Sequence, residues 1–178
     1  KIKNLNLVFI YRNRYKGNGS TVMRVFQLNK ILETYDFRTI SVNEDQISNI
    51  KDSICIINKS FLREASTKEF ELLIAKGNIL CFDYIDSIEK KFQIFYASVL
   101  IASSIKQFIY YKSKYPDKII HLINHHVDPR INIHKQNNYE LKIGYFGEKE
   151  NGLYLDKLQD FLIPNYINTK ENSNSNWI

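Results

Sequence analysis

The sequence predicts an α/β fold in which a parallel sheet carries helices on both faces. Short apolar runs of strand length alternate with segments in which apolar residues recur every three or four positions. Continuous apolar runs are typical of strands that are covered on both faces. Short helical connections between such strands give a parallel, Rossmann-like sheet.

The pattern divides the chain into a main domain and a shorter second part. A Rossmann-like domain is expected over residues 1–133, a polar linker over 134–139, the start of a second Rossmann-like α/β domain over 140–168, and a flexible tail over 169–178. The first helix is expected to begin at Ser20 or Thr21, and Gly77 lies where a helix C-cap belongs. The predicted strands are 5–11, 38–42, 53–58, 78–82, 98–102 and 119–123, and the main predicted helices after the first are 61–76 and 87–97.

The composition is that of a mildly basic globular protein. The chain has 178 residues, 44% of them hydrophobic, and a formal net charge of +6. This balance suits a phosphate-bearing partner or an anionic membrane surface, and also an ordinary basic domain. No run of five like charges indicates a nucleic-acid tail. Cys55 and Cys81 lie in apolar runs, so we expect buried free thiols in a reducing, cytoplasmic compartment.

A basic loop with two glycines connects the first strand to the first helix. Gly17, Asn18, Gly19 and Ser20 lie where helix N–H groups would face a ligand, and Arg24 follows them. Glycine lets a ligand approach the backbone closely. The loop lacks the GxxxxGK[ST] and GxGxxG patterns. We therefore interpret these residues as candidates for binding a phosphate or a sugar, and the alternative is an ordinary turn.

A dense polar cluster follows the sixth strand. In open parallel sheets, ligands bind beyond the carboxyl ends of the strands. His125 and Asp128 are therefore the candidate catalytic residues, since both can accept a proton. Arg130 is a candidate for binding a phosphate or carboxylate, although it could simply pair with Asp128. No metal site is expected, and the apolar run 119–123 predicts a strand inside the sheet.

Two further segments carry candidate functions. Asp83 and Asp86 follow the fourth strand, where they could bind substrate hydroxyls or cap a helix. Residues 108–118 mix aromatic residues with lysines. This mixture could place the protein at the inner face of a membrane, or could be a plain solvated helix face.

The order of these features resembles that of GT-B fold glycosyltransferases. The features are a strand, a glycine loop and a helix, then a strand ending in Asp83, a strand followed by two serines, the NHHVD motif at 124–128, a linker, and IGYFGE at 143–148. The similarity spans residues 5–152. Within this group, the sequence looks most like the retaining, nucleotide-sugar-dependent enzymes that build bacterial surface glycans.

The resemblance implies a division of labour between two domains. The N-terminal domain would bind a glycan or lipid-linked acceptor, and its glycine loop would reach toward the phosphates of a nucleotide-sugar substrate. Glu148 and Asn151 would belong to the donor side, and no separate cofactor and no nucleic acid is implied. The family's paired donor-binding glutamates are not found in the sequence, and Ser98 stands where the family often has an aspartate. We therefore expect the 178-residue chain not to transfer sugar by itself.

Two other function classes remain open. A nicotinamide-dependent oxidoreductase is disfavoured because GxGxxG is missing and no acidic residue follows the second strand at the usual distance. A non-catalytic α/β module that binds a nucleotide or another partner is the main alternative to a transferase.

Overall fold

The computed structural model describes residues 6–125, which form one sheet of six parallel strands. Its order is β2-β1-β3-β4-β5-β6. The predicted α/β fold class with a parallel, Rossmann-like sheet is confirmed. The predicted linker, second domain and tail lie outside the described residues. The strands are β1 (Asn6–Ile10), β2 (Thr39–Val42), β3 (Ser53–Asn58), β4 (Ile79–Asp83), β5 (Val99–Ala102) and β6 (Ile119–Leu122).

Helical segments connect the strands. The first connection contains α1 (Gly19–Thr21), a π-helical segment (Val22–Gln27) and α2 (Leu28–Glu33), which follow one another without a break. Short 3₁₀ turns cover Asn13–Tyr15 and Glu44–Asn49. The remaining helices are α3 (Lys59–Leu62), α4 (Thr67–Ala75), α5 (Lys91–Ile94) and α6 (Ile105–Lys114).

Three predicted helix boundaries are corrected. The first helix is capped by Asn18, two or three residues before the Ser20 or Thr21 cap that we expected. The predicted helix 61–76 is two helices, because Ser66 and Glu69 form a capping box that starts α4. The predicted helix 87–97 is reduced to α5, since residues 84–90 form a turn and an irregular segment before it.

Helices cover both faces of the sheet, as predicted. Neighbouring residues of a strand point to opposite faces. Val8 of β1 belongs to the larger core, which also contains Phe70 of α4 and Tyr111 of α6. Phe9 belongs to a smaller core with Val25 of the π-helical segment. The first helical connection therefore packs on one face, and α3, α4 and α6 pack on the other.

The sixth strand does not lie where its composition suggested. We expected residues 119–123 to form an inner strand, but β6 pairs with β5 and ends the sheet within residues 6–125. Ile119 and Leu122 are exposed, and only Ile120 of this strand is buried in the core. The expectation is wrong because an apolar run shows only that helices can cover the two faces of a strand. It does not show whether the strand lies in the middle or at the edge of the sheet.

The two cysteines are buried free thiols, as expected. Burial raises the pKa of Cys55 to about 12 and that of Cys81 to about 11. Both side chains therefore remain protonated at neutral pH and act as small apolar residues.

Gly77 ends α4 in the left-handed conformation that its predicted C-cap role requires. Its φ is +77°, its N–H donates to the Ile74 carbonyl at 2.9 Å, and the Asn78 N–H donates to the Leu73 carbonyl at 3.3 Å. These two bonds form a Schellman motif. A Cβ atom at this position would lie 2.7 Å from Oδ1 of Asp52.

We expect Gly77→Ala to lower the free energy of unfolding by about 1–2 kcal/mol, because alanine disfavours a positive φ and would displace Asp52. Urea denaturation measures the change. Gly17→Ala is the matched control, since a Cβ at Gly17 meets nothing within 4 Å. Equal losses in the two variants would contradict the cap assignment.

Candidate functional site

The strand order creates a crevice between β1 and β3. The chain leaves β1 toward β2 on one side of the sheet and returns to β3 on the other side. Ligands of open α/β sheets bind at such a switch point, beyond the carboxyl ends of the strands. The glycine loop after β1 and the residues that follow β3 and β4 therefore surround the candidate site.

The glycine loop is held by ion pairs to α3 and α4. The guanidinium of Arg12 lies 2.7 Å from Oε1 of Glu69 and stacks over the ring of Phe61 at 4.3 Å. Arg14 pairs with Glu64, whose carboxylate also accepts a hydrogen bond from the Tyr15 hydroxyl at 2.7 Å. Both arginines of the loop are thus neutralised within the protein. Their charge is therefore a weaker reason to expect phosphate binding at the loop.

The loop glycines leave open space beside the backbone. Gly17 and Gly19 are exposed, and neither adopts a positive φ. Asn18 caps α1 without a hydrogen bond from its side chain, and Ser20 is half-buried. These four residues are accessible to a ligand, but no fixed backbone geometry demands glycine. Their predicted binding role stays a prediction.

Arg24 and Asp83, both predicted to bind substrate, instead form a buried ion pair with each other. Nε of Arg24 donates to Oδ2 of Asp83 at 2.8 Å, and both side chains are almost fully buried, at 1% and 2% exposure. Nη1 of Arg24 also donates to the carbonyls of Ile123 at 3.1 Å and Asn124 at 3.3 Å. One guanidinium therefore joins the π-helical segment to the ends of β4 and β6.

The protonation of Asp83 reflects two opposing effects. Burial raises the pKa of Asp83 above its ordinary value, while the charge and hydrogen bond of Arg24 and the charge of His125 lower it. Arginine keeps its charge under all ordinary conditions. Arg24 is therefore a permanent positive charge that favours the ionised form of Asp83. This carboxylate is engaged in structure and is a poor general base.

Three buried polar atoms around this pair have no hydrogen-bond partner among the described residues. They are Oγ1 of Thr21, Nδ2 of Asn58 and Oδ1 of Asp83. Asn58 and Asp83 are paired residues at the ends of the neighbouring strands β3 and β4, so a donor and an acceptor without partners belong to adjacent strand ends. A hydroxyl group can donate and accept at once, and is the kind of group this arrangement would satisfy.

A second set of charges, less deeply buried, follows the ends of β3 and β4. Lys59, at the start of α3, forms a salt bridge with Asp86, whose side chain is 73% exposed. Partial burial raises the pKa of Asp86, but the hydrogen bond and charge of Lys59 and the charge of His125 outweigh it, so the pKa is lowered overall. His125 thus acts on both aspartates that follow β4. Asp83 ends β4, Asp86 follows it, and His125 follows β6, so all three belong to the carboxyl edge of the sheet.

The turn between the two aspartates is strained. Ile85 has a φ of +60°, which a β-branched residue rarely adopts. Its carbonyl accepts hydrogen bonds from Oγ of Ser103 at 3.0 Å and Nε2 of Gln107 at 2.8 Å. Such strain occurs mainly where the surrounding structure enforces it, often at functional sites. The alternative that Asp83 or Asp86 caps a helix is wrong, because α5 begins after Lys90.

Several residues of the site were missed from the sequence. Thr21, Asn58, Lys59 and Gln107 carry no motif, although Asn58 could have been found because it ends β3 as Asp83 ends β4. Four predicted residues, Asp128, Arg130, Glu148 and Asn151, lie outside the described residues. Within residues 6–125 no group of three potential metal ligands comes together.

Comparison with known proteins does not identify the chain. No protein-family model, no curated protein and no solved structure matches it. The site must therefore be interpreted from its own geometry.

We expect removal of one partner of the Arg24–Asp83 pair to cost about 3–5 kcal/mol, because it leaves the other buried and uncompensated. Asp83→Leu and Arg24→Met should each show this loss in urea denaturation. The double variant Arg24→Met/Asp83→Leu should be more stable than either single variant.

The pair Lys59–Asp86, in which the aspartate is exposed to solvent, provides the control. Its double-mutant cycle, with Lys59→Met and Asp86→Asn, should give a coupling below about 1 kcal/mol. If the double variant of Arg24 and Asp83 loses the sum of the two single losses in unfolding free energy, the two side chains do not stabilise each other.

Proposed function

We propose that this chain is the acceptor-side part of a GT-B-type glycosyltransferase, which transfers a sugar from a nucleotide sugar to a glycan or lipid-linked acceptor. The observation that carries the proposal is the set of exposed Asp86, partly buried Lys59 and exposed His125 at the carboxyl edge of the sheet. It lies beside the switch point, where α/β folds bind ligands.

The chemistry of this set suits a phosphorylated sugar or a glycan. Asp86 is exposed and its lowered pKa keeps it ionised, so its oxygens can accept hydrogen bonds from sugar hydroxyls. Lys59 and His125 can donate hydrogen bonds to phosphate oxygens. A ligand that carries both hydroxyls and negative charge would use all three side chains.

The buried residues hold this set in place. Arg24 fixes Asp83 and the end of β6, and Asp83 in turn sets the start of the turn that carries Asp86. His125 follows directly after the carbonyls that Arg24 binds. We propose that His125 hydrogen-bonds to the acceptor hydroxyl. Asp128 is a second candidate catalytic residue, and Arg130, in the same stretch of sequence, is a candidate phosphate ligand.

The alternative is a non-catalytic α/β module that binds a nucleotide or another partner. The observation in its favour is that Asp83, one of the two carboxylates after β4, is occupied by Arg24 and unavailable for proton transfer. The two proposals differ in their ligands, since an acceptor-side domain must bind saccharides and a nucleotide module need not.

We expect oligosaccharides to bind the 178-residue chain, and His125→Ala and Asp86→Asn to weaken that binding about tenfold each, the effect of losing one charged hydrogen bond. Calorimetric titration with an oligosaccharide panel, and separately with UDP, GDP, UDP-glucose and GDP-mannose, measures the affinities. The melting temperature should change little, because both side chains lie at the surface of the site.

Two substitutions provide matched controls. His121→Ala removes an exposed histidine earlier on β6, and Asp36→Asn removes an exposed carboxylate at the opposite end of the sheet. Neither should alter saccharide affinity. Binding of nucleotides without any saccharide would favour the non-catalytic module, and equal losses in control and site variants would refute the proposed site.

A further inference from the structure

The outward side of α6 carries two large apolar side chains, which an ordinary surface helix would bury. Ile105 and Ile109 lie one turn apart and are 64% and 62% exposed. Tyr111, on the opposite side of the same helix, is fully buried in the core. The helix therefore covers the sheet with one side and presents isoleucines to the outside with the other.

Lysines flank these isoleucines, and no acidic residue lies on the helix. Lys106 and Lys112 are exposed, and neither forms a salt bridge within residues 6–125. We call Ile105, Lys106, Ile109 and Lys112 the isoleucine–lysine face. Its positive charges surround an apolar centre.

The positive charge extends to the segments beside the helix. Residues 87–118 contain six lysines and two acidic residues, Glu89 and Asp117. Glu89 is buried, and its carboxylate accepts hydrogen bonds from Tyr110 at 2.8 Å, Lys114 at 2.7 Å and Tyr115 at 3.0 Å. One of the two negative charges is thus already neutralised inside the protein.

The same hydrogen bonds bring a second apolar group next to the helix. Because Glu89 is bonded to the last turn of α6, the preceding residue, Ile88, lies near it and is 89% exposed. A network of hydrogen bonds holds this loop against the helix, so the exposed isoleucine is fixed in the folded protein. Ile88 is therefore a further exposed apolar residue in the segment that is bonded to α6.

We propose that the isoleucine–lysine face docks on an anionic bilayer surface, with α6 lying parallel to it. Isoleucines in the centre would enter the region between headgroups and acyl chains, while the flanking lysines meet lipid phosphates. Charge complementarity favours this occupant over a second copy, since two such faces would bring their lysines together. No helix of residues 6–125 is long and apolar enough to cross a membrane, so the contact is one of docking.

The structure changes which residues of this segment make the contact. From the sequence, the mixture of aromatic residues and lysines in 108–118 was the candidate for membrane contact. Tyr111 is buried and Phe108 packs against the core, while the isoleucines occupy the outer side. The inference does not rest on the glycosyltransferase proposal, since lipid binding can be measured without any saccharide.

Sedimentation with vesicles tests the inference on the full 178-residue chain. We expect binding to phosphatidylcholine vesicles that contain 30% phosphatidylglycerol, little binding to pure phosphatidylcholine, and weaker binding at high salt. Ile105→Ser/Ile109→Ser and Lys106→Glu/Lys112→Glu should each reduce the partition coefficient at least about tenfold. All four positions are exposed, so urea midpoints should stay close to that of the parent.

Two control variants carry the same changes elsewhere. Ile31→Ser/Ile74→Ser removes exposed isoleucines from α2 and α4, and Lys30→Glu/Lys68→Glu alters the net charge by the same amount. Both should bind like the parent. Failure of the parent to bind anionic vesicles would overturn the inference, as would equal losses in the two lysine variants. Self-association that disappears in Ile105→Ser/Ile109→Ser, without lipid binding, would show that the face joins copies of the chain.

Discussion

The buried ion pair between Arg24 and Asp83 is the constraint on which the edge of the sheet depends. Removing two charges from water is costly, and the cost is offset only by close geometry and additional hydrogen bonds. Arg24 supplies that geometry with bonds to Asp83 at 2.8 Å and to the carbonyls of Ile123 and Asn124. Elements that are distant in sequence are thereby joined at a single guanidinium.

The geometry of the neighbouring turn follows from this pair. With Asp83 held inside, the chain must turn sharply to place Asp86 outside, and Ile85 adopts a positive φ between them. The strain is sustained because Ser103 and Gln107, from the β5–α6 connection, hold the Ile85 carbonyl. Asp86 then reaches Lys59 at the end of β3. The exposed charges are positioned by buried ones.

The sequence was sufficient for the fold class because each strand and helix has a local signature. The alternation of apolar runs and helical periods predicted six strands and helices on both faces, and a glycine after α4 predicted its C-cap. The lateral order of strands depends on contacts between distant segments, so the edge position of β6 could not be read from its apolar run. The π-helical segment around Arg24 has no signature in the sequence either.

The candidate site was predicted in part for the same reason. Asp83, Asp86 and His125 were found because each follows a strand, and strand ends of a parallel sheet share one edge. Their roles were not predictable, since Arg24 and Asp83 are 59 residues apart and nothing local shows that they pair. Arg24 was assigned to a ligand, but its buried guanidinium binds the protein itself.

The distribution of paired and unpaired charges changes how the basic composition is interpreted. Beside the switch point, Arg12 and Arg14 are matched by glutamates and Lys59 by an aspartate. On α6, Lys106 and Lys112 have no carboxylate partner among the described residues. Charge that is already paired contributes little to the field that a distant anion meets, whereas unpaired charge contributes fully within a Debye length. The unpaired lysines of α6 therefore add to the attraction of this domain for anionic surfaces, whereas the paired arginines of the glycine loop add little.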